Sequence, residues 1–416
     1  AAEAKLSKRI GQWLPQGAPM GNGRSSHRMA SSGQAEDSQR RALPMLPAAV
    51  VLDRVKGALY GLLIADALAA PTHWFYGGPR QVIQLYGKRI QGYTDPVQRL
   101  PGSIMSKSNT GGGGRGGFKG NIVGDVIFHN KKQYWEPGKD YHYHNLLRAG
   151  DNTLEALLTR RVMAVSVEHS GPDLPAILDD YVEFMTTPDS HNDTYAGTCH
   201  RMFFANRAAG KPLDKCPDND HHNVDSIDAL VTPIPLMLLP SSDAEAAEVA
   251  GAMVRLTRDS PVSANAAADV SRLLRQVVRH GADLRSALAS WFGASVEELE
   301  SQIMRQTSDQ LTACYLSDAL PAAAVLAFKY AEHAAGPGEA FRTAVLANAN
   351  RGGENVGSGA LIGALLGGQA GFEALPKDLV DGLARSHRPK LDHEIDGFIN
   401  LVRAELEKST ASGDVC

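Results

Sequence analysis

Apolar residues in this chain recur every three or four positions, and that rhythm limits the fold more than any other feature. From about residue 52, LDRVKGALYGLLIADALAA sets Val55, Leu59, Leu62 and Leu63 at helical spacing, and TLEALLTRRVMAVSV, SANAAADVSRLLRQVV, SDALPAAAVLAFKYAEH, GEAFRTAVLANA and HEIDGFINLVRAEL repeat the pattern. Strand-like alternation is almost absent. Aromatic residues make up only 6% of the chain and alanine is abundant, so the expectation is an all-α fold of about ten or more helices in close approach. SGALIGALLGGQAG fits that picture, since its Gly and Ala leave room for a neighbouring backbone. No repeat of fixed period is visible.

With 416 residues, 43% of them hydrophobic, the chain is long enough to bury a substantial core. A formal charge of -4 gives no reason to expect a nucleic-acid partner. VTPIPLMLLP is too short and too proline-broken for a membrane span, which needs roughly 20 apolar residues, so no membrane partner is expected either. Cys199, Cys216, Cys314 and Cys416 are too scattered for a disulfide framework or a zinc site. An intracellular, reducing compartment is the expectation, cytoplasmic in the first instance and organellar as the alternative.

Residues 1–50 read as a flexible basic tail, rich in Gly, Ser and Pro and without apolar periodicity, that a protein partner would dock. Residues 51–410 read as a single helical domain. Within it the stretch from about 76 to 145 is less regular and holds SNTGGGGRGGFKGNIVGDVIFH. Its glycines satisfy neither nucleotide-binding motif, because no strand precedes them and Lys119 is followed by Gly120. They predict a loop whose Arg115 and Lys119 suit an anionic substrate.

Chemistry is expected where polar residues open helices. Asp151-Asn152-Thr153 precedes one helix, with Asn152 and Glu155 spaced as a capping box, and Gly352-Gly353-Glu354-Asn355 precedes another. Two such turns can also converge on a hard cation. Polar residues are dense in HNDTYAGTCHRMFF, which supplies His191, Asn192, Asp193 and His200, and in DNDHHNVDSIDAL, which supplies His222, Asp225 and Asp228; YHYHN adds His142 and His144.

These segments in this order resemble the ADP-ribosylglycohydrolase superfamily. KGALYGLLIADALAAP is similar to its opening glycine-rich helix with Asp66 retained, GDNT falls on its T-D-D-T turn, TRDSP on T-H-x-x-P, and RGGENVGSG on its late G-G-D-x-D-T turn. The spacing also resembles the branch that includes the jellyfish lens J-type crystallins and a related selenoprotein. The resemblance implies a compact all-α bundle with a di-magnesium site, here drawing on Asp66, Asp151, Asn152 and Glu354. The departures bear on that metal: Gly150 removes a hydroxyl, Asn152 replaces a carboxylate, and Val356 and Gly357 stand where Asp and Thr are expected. One ion (magnesium, or manganese in its place), a rebuilt site, or none are the alternatives.

Two functions of different class follow. One is a hydrolase cleaving an N- or O-glycosidic bond of an ADP-ribosyl or related ribosyl substrate. Its catalytic candidates are Asp151, Glu354, Asp193 and Asp228, and its substrate-binding candidates are Arg115, Lys119, His191, His222 and Asn355. The other is an inactive, crystallin-like assembly protein docked through its tail.

Overall fold

The computed structural model describes residues 45–106, 108–112, 120–239, 241–303 and 309–412. Among these the regular elements are α-helices and short 3-10 turns, with no strand beyond isolated bridges. The helices fall where the periodicity puts them, at Ala48–Ala69, Leu154–Glu168, Pro261–Val278, Leu316–Lys329, Pro337–Arg351, Val356–Ala370 and Arg388–Ser412. Of the stretch from about 76 to 145 that the sequence left less regular, Gly78–Tyr86 is a helix, and the described residues from 87 onward are held mainly by turns. The tail expected at 1–50 lies outside the described residues through position 44, and the first helix starts at Ala48.

The centre of the fold is the contact between Ala48–Ala69 and Val356–Ala370, both buried on nearly every face. Their backbones touch. A Cβ on Gly61 would sit 2.1 Å from the Gly363 carbonyl oxygen, and one on Gly57 would sit 2.3 Å from that of Gly367. The reciprocal pairs make the helices antiparallel. Because the first helix ends where the second begins, the segment leaving the first, Ala70 to Phe75, meets the turn 352–355. The two lock together through Trp74 N–H to the Gly353 carbonyl (2.8 Å) and Gly353 N–H to the Phe75 carbonyl (3.2 Å).

Gly352 and Gly353 have φ of 70° and 64°, and a Cβ on Gly352 would lie 2.3 Å from the Phe75 oxygen, so this turn needs glycine. Buried Arg351 braces it from behind, donating to Asn348 Oδ1, the Gln310 carbonyl and the Glu354 carbonyl.

Candidate active site

The locked segments open onto a cleft of about 300 Å3 lined by four carboxylates, Glu155, Asp193, Asp228 and Glu354, together with His73, His144, Trp74, Tyr195, Arg201 and both Cys199 and Cys314. Along its floor runs a hydrogen-bonded row. Glu354 Oε2 meets His73 Nε2 at 3.0 Å, His73 Nδ1 meets His144 Nε2 at 2.7 Å, and His144 Nδ1 meets Asp193 Oδ1 at 2.8 Å. All four side chains are at least nine-tenths buried. Two neutral imidazoles carry two protons for these three contacts, and burial, outweighing the pull of Glu354, holds His73 below its ordinary value.

The carboxylates at its ends are ionised. Burial pushes Glu354 up, but His73 and the Gly357 N–H hold it below the usual range. Asp193 behaves alike, with His144 and the Leu154 N–H overcoming burial. Asp228 is held down by Arg258, at 2.9 Å, and by Ser226 against the effect of burial. Across the cleft Asp228 still pushes Glu354 upward.

Aromatic rings frame the row. Trp74 donates its indole N–H to Glu354 Oε2 at 3.0 Å and packs edge-on against Tyr143 and Tyr195, while Tyr195 stacks on Trp135. Arg201 enters from the other wall. Its guanidinium bonds the carbonyls of Ala196 and Asn109 and the Thr198 hydroxyl, none of them charged, and lies 5.4 Å from the Trp135 ring centre.

The structure distributes the sequence candidates unevenly. Glu354, Asp193 and Asp228 line the cleft. Asp66 sits behind it, fully buried, its carboxylate taken by the Thr153 N–H, the Thr153 hydroxyl and the Asn152 amide, and burial raises its pKa to about 6 despite those bonds. Asp151 is not among the lining residues; its carboxylate accepts the Arg148 N–H, so the expected pairing of Asp151 with Glu354 is not made in this cleft. Asn152 braces Asp66 and the Leu63 carbonyl.

The expected capping box is absent because the helix starts at Leu154 with Thr153 at the N-cap, one position later than the box needs; Asp193, from 39 positions away, takes the Leu154 N–H at 2.8 Å, and Glu155 meets His200. Asn355 is buried beneath the turn on Thr72, and His191 lies in an apolar nest against Phe128 and Phe184. His222 is at the rim, bonded to the Tyr315 hydroxyl. Asp225 accepts hydroxyls from Ser260 and Ser263, away from the partner of Asp228. Arg115 and Lys119 fall outside the described residues.

Sequence reading missed His73, Trp74, Arg201 and Arg258, and took Glu155 only for a capping residue. The one signal for the first two is that PTHW directly follows the glycine-rich helix, so its His enters wherever that helix ends.

A di-magnesium centre does not fit these donors. Both oxygens of Glu354, Asp193, Asp228 and Asp66 already accept hydrogen bonds, Val356 offers no side-chain oxygen, and no group of three or more His, Cys, Asp or Glu among the described residues is arranged to hold a metal ion.

An all-helical fold with an acid-floored cleft where a glycine-tight helix pair meets is the class of protein this geometry defines. The family model for ADP-ribosylglycohydrolase matches residues 47–411, and the chain belongs to that family. A solved structure described as an ADP-ribosylglycohydrolase-related protein complex superposes with a TM-score of 0.52 at 17% identity, covering 85% of this chain and 99% of that one, a likeness of fold. No curated protein matches the chain. Membership supports a glycohydrolase-type function at the level of the family. No helix among the described residues is long and apolar enough to cross a membrane.

Proposed function

We propose that the protein hydrolyses the glycosidic bond of an ADP-ribosyl or related ribosyl substrate without a di-magnesium centre. The observation that carries this reading is the buried Glu354–His73–His144–Asp193 row on the cleft floor. Breaking a ribosyl bond builds positive charge at the anomeric carbon, and an ionised Glu354 fixed by three donors stabilises that charge without reorganising. The row holds that charge in place, since Asp193 anchors His144, His144 anchors His73, and His73 meets Glu354.

Trp74 and Tyr195 offer faces and edges for the sugar or its base. Arg201, whose own partners are neutral, is the cation that meets the diphosphate, a role the sequence had suggested for Arg115 and Lys119.

The test uses full-length protein with an ADP-ribosyl-arginine peptide for the N-glycosidic bond and an ADP-ribosyl-serine peptide for the O-glycosidic bond. Turnover of either is expected, together with a rise in Tm on adding ADP-ribose that is lost in Arg201→Met. Turnover of neither, with no Tm response, overturns the hydrolase reading in favour of a structural role.

A further inference from the structure

Three of the four carboxylates in the cleft are fully engaged. Glu354 accepts from His73, Trp74 and the Gly357 N–H; Asp193 from His144, the Tyr195 N–H and the Leu154 N–H; Asp228 from Ser226 and Arg258. Glu155 is different. Its Oε1 meets His200 Nε2 at 2.7 Å, and its Oε2 has no partner among the described residues.

Behind Glu155, His200 Nδ1 meets the Tyr181 hydroxyl at 2.8 Å. His200 and Tyr181 are 2% and 6% exposed, whereas 14% of the Glu155 side chain remains open. An acceptor with a free lone pair in a cleft, oriented by a buried histidine that is itself held by a third group, has the geometry of a general base. Burial pulls His200 down, but Cys199, Tyr181 and Glu155 outweigh it and leave the imidazole well above its ordinary value. Asp228 and Arg258 face this pair from the 227–230 turn and residue 258, His191 from the preceding loop, and Arg161 and Asp180 line the small cavity behind it.

We propose that Glu155 is the base that activates water in this cleft, and that His200 and Tyr181 are positioning residues that aim its carboxylate. The inference rests on the hydrolase reading above. Water gives a proton to Glu155 Oε2 while its oxygen bonds the anomeric carbon. The glycosidic bond breaks with its electron pair on the leaving nitrogen or oxygen, and Glu155 then returns the proton to that atom. Glu354 supplies charge throughout and exchanges no proton with water.

The experiment measures kcat and KM from pH 5 to 9 on the two peptides named above. Glu155→Gln is expected to lower kcat at least ~100-fold with KM within ~3-fold, and Glu155→Asp to recover at least ~10-fold of that loss. Tyr181→Phe keeps kcat within ~10-fold but narrows the pH profile, raising its acid limb and lowering its basic limb, because His200 loses a partner for its charged form. A structural role for Glu155 moves Tm and leaves the profile unchanged. Retained kcat in Glu155→Gln therefore overturns the proposal while the hydrolase reading stands. A wild-type protein inert on both peptides and without a Tm response to ADP-ribose overturns both.

Discussion

Two histidine rows reach the same cleft and end differently. In Glu354–His73–His144–Asp193 a carboxylate closes each end and every oxygen is occupied. In Tyr181–His200–Glu155 the outer carboxylate keeps an oxygen unfilled. Identical side-chain types thus serve as fixed charge in one place and as an exchangeable acceptor in the other, and what separates them is the number of donors that the neighbouring backbone supplies. The closed row receives N–H groups from Leu154, Tyr195 and Gly357; the open one receives none at Glu155.

The sharpest way to break that contrast is Asp193→Ala, which strips the closed row of one anion and the 154–168 helix of its remote cap. Its expected cost is about 3–5 kcal/mol, the usual consequence of leaving a buried charge unpartnered, read by urea unfolding. A loss under ~1 kcal/mol would mean the row is not a unit.

A histidine belonging to neither row sharpens the contrast next. His191 is buried among rings, with its pKa pushed down to about 4 by burial, so the folded protein binds fewer protons there than the unfolded chain. Its contribution to stability is present above the unfolded pKa of roughly 6.5 and falls with pH through 4, by about 3 kcal/mol in all. Melts at pH 7 and pH 4 should show wild type losing about 3 kcal/mol more than His191→Phe over that interval, Asp66 and His200 contributing equally to both; equal losses would contradict it.

The open row should matter less to folding. Glu155→Gln is expected to cost less than Asp193→Ala, about 1–2 kcal/mol, since the side chain loses its charge but keeps a neutral hydrogen bond to His200. The smallest expected effect is that of magnesium. Because both rows leave no set of free oxygens, millimolar Mg2+ should shift Tm by less than about 1 °C, and metal analysis should find no stoichiometric ion. A clear upward shift would show that the rows rearrange around a cation.

The helical architecture was legible in the sequence because the 3.6-residue rhythm is local, and GALIGALLGG announced its own tight contact through glycine. The site was legible only in part. Glu354 could be found from the glycines that force its turn, and Asp193 from a cluster of polar neighbours. Asp151 misled because a cap is judged by adjacency: nothing in AGDNTLEA reveals that a carboxylate 39 positions downstream takes the Leu154 N–H. His73 went unread for the converse reason, since its partners lie 71 and 281 positions away and are set by the antiparallel register of two helices.

Gly150 carries a longer consequence. Its φ is 91°, and a Cβ there would lie 2.4 Å from the Gly382 carbonyl oxygen, so the stretch around residue 382 has grown into the room a threonine would need. Placing a threonine at this position would demand shifting a separate piece of chain as well. The 150 turn and the segment at 382 are therefore one fitted unit, and neither can be redesigned without the other.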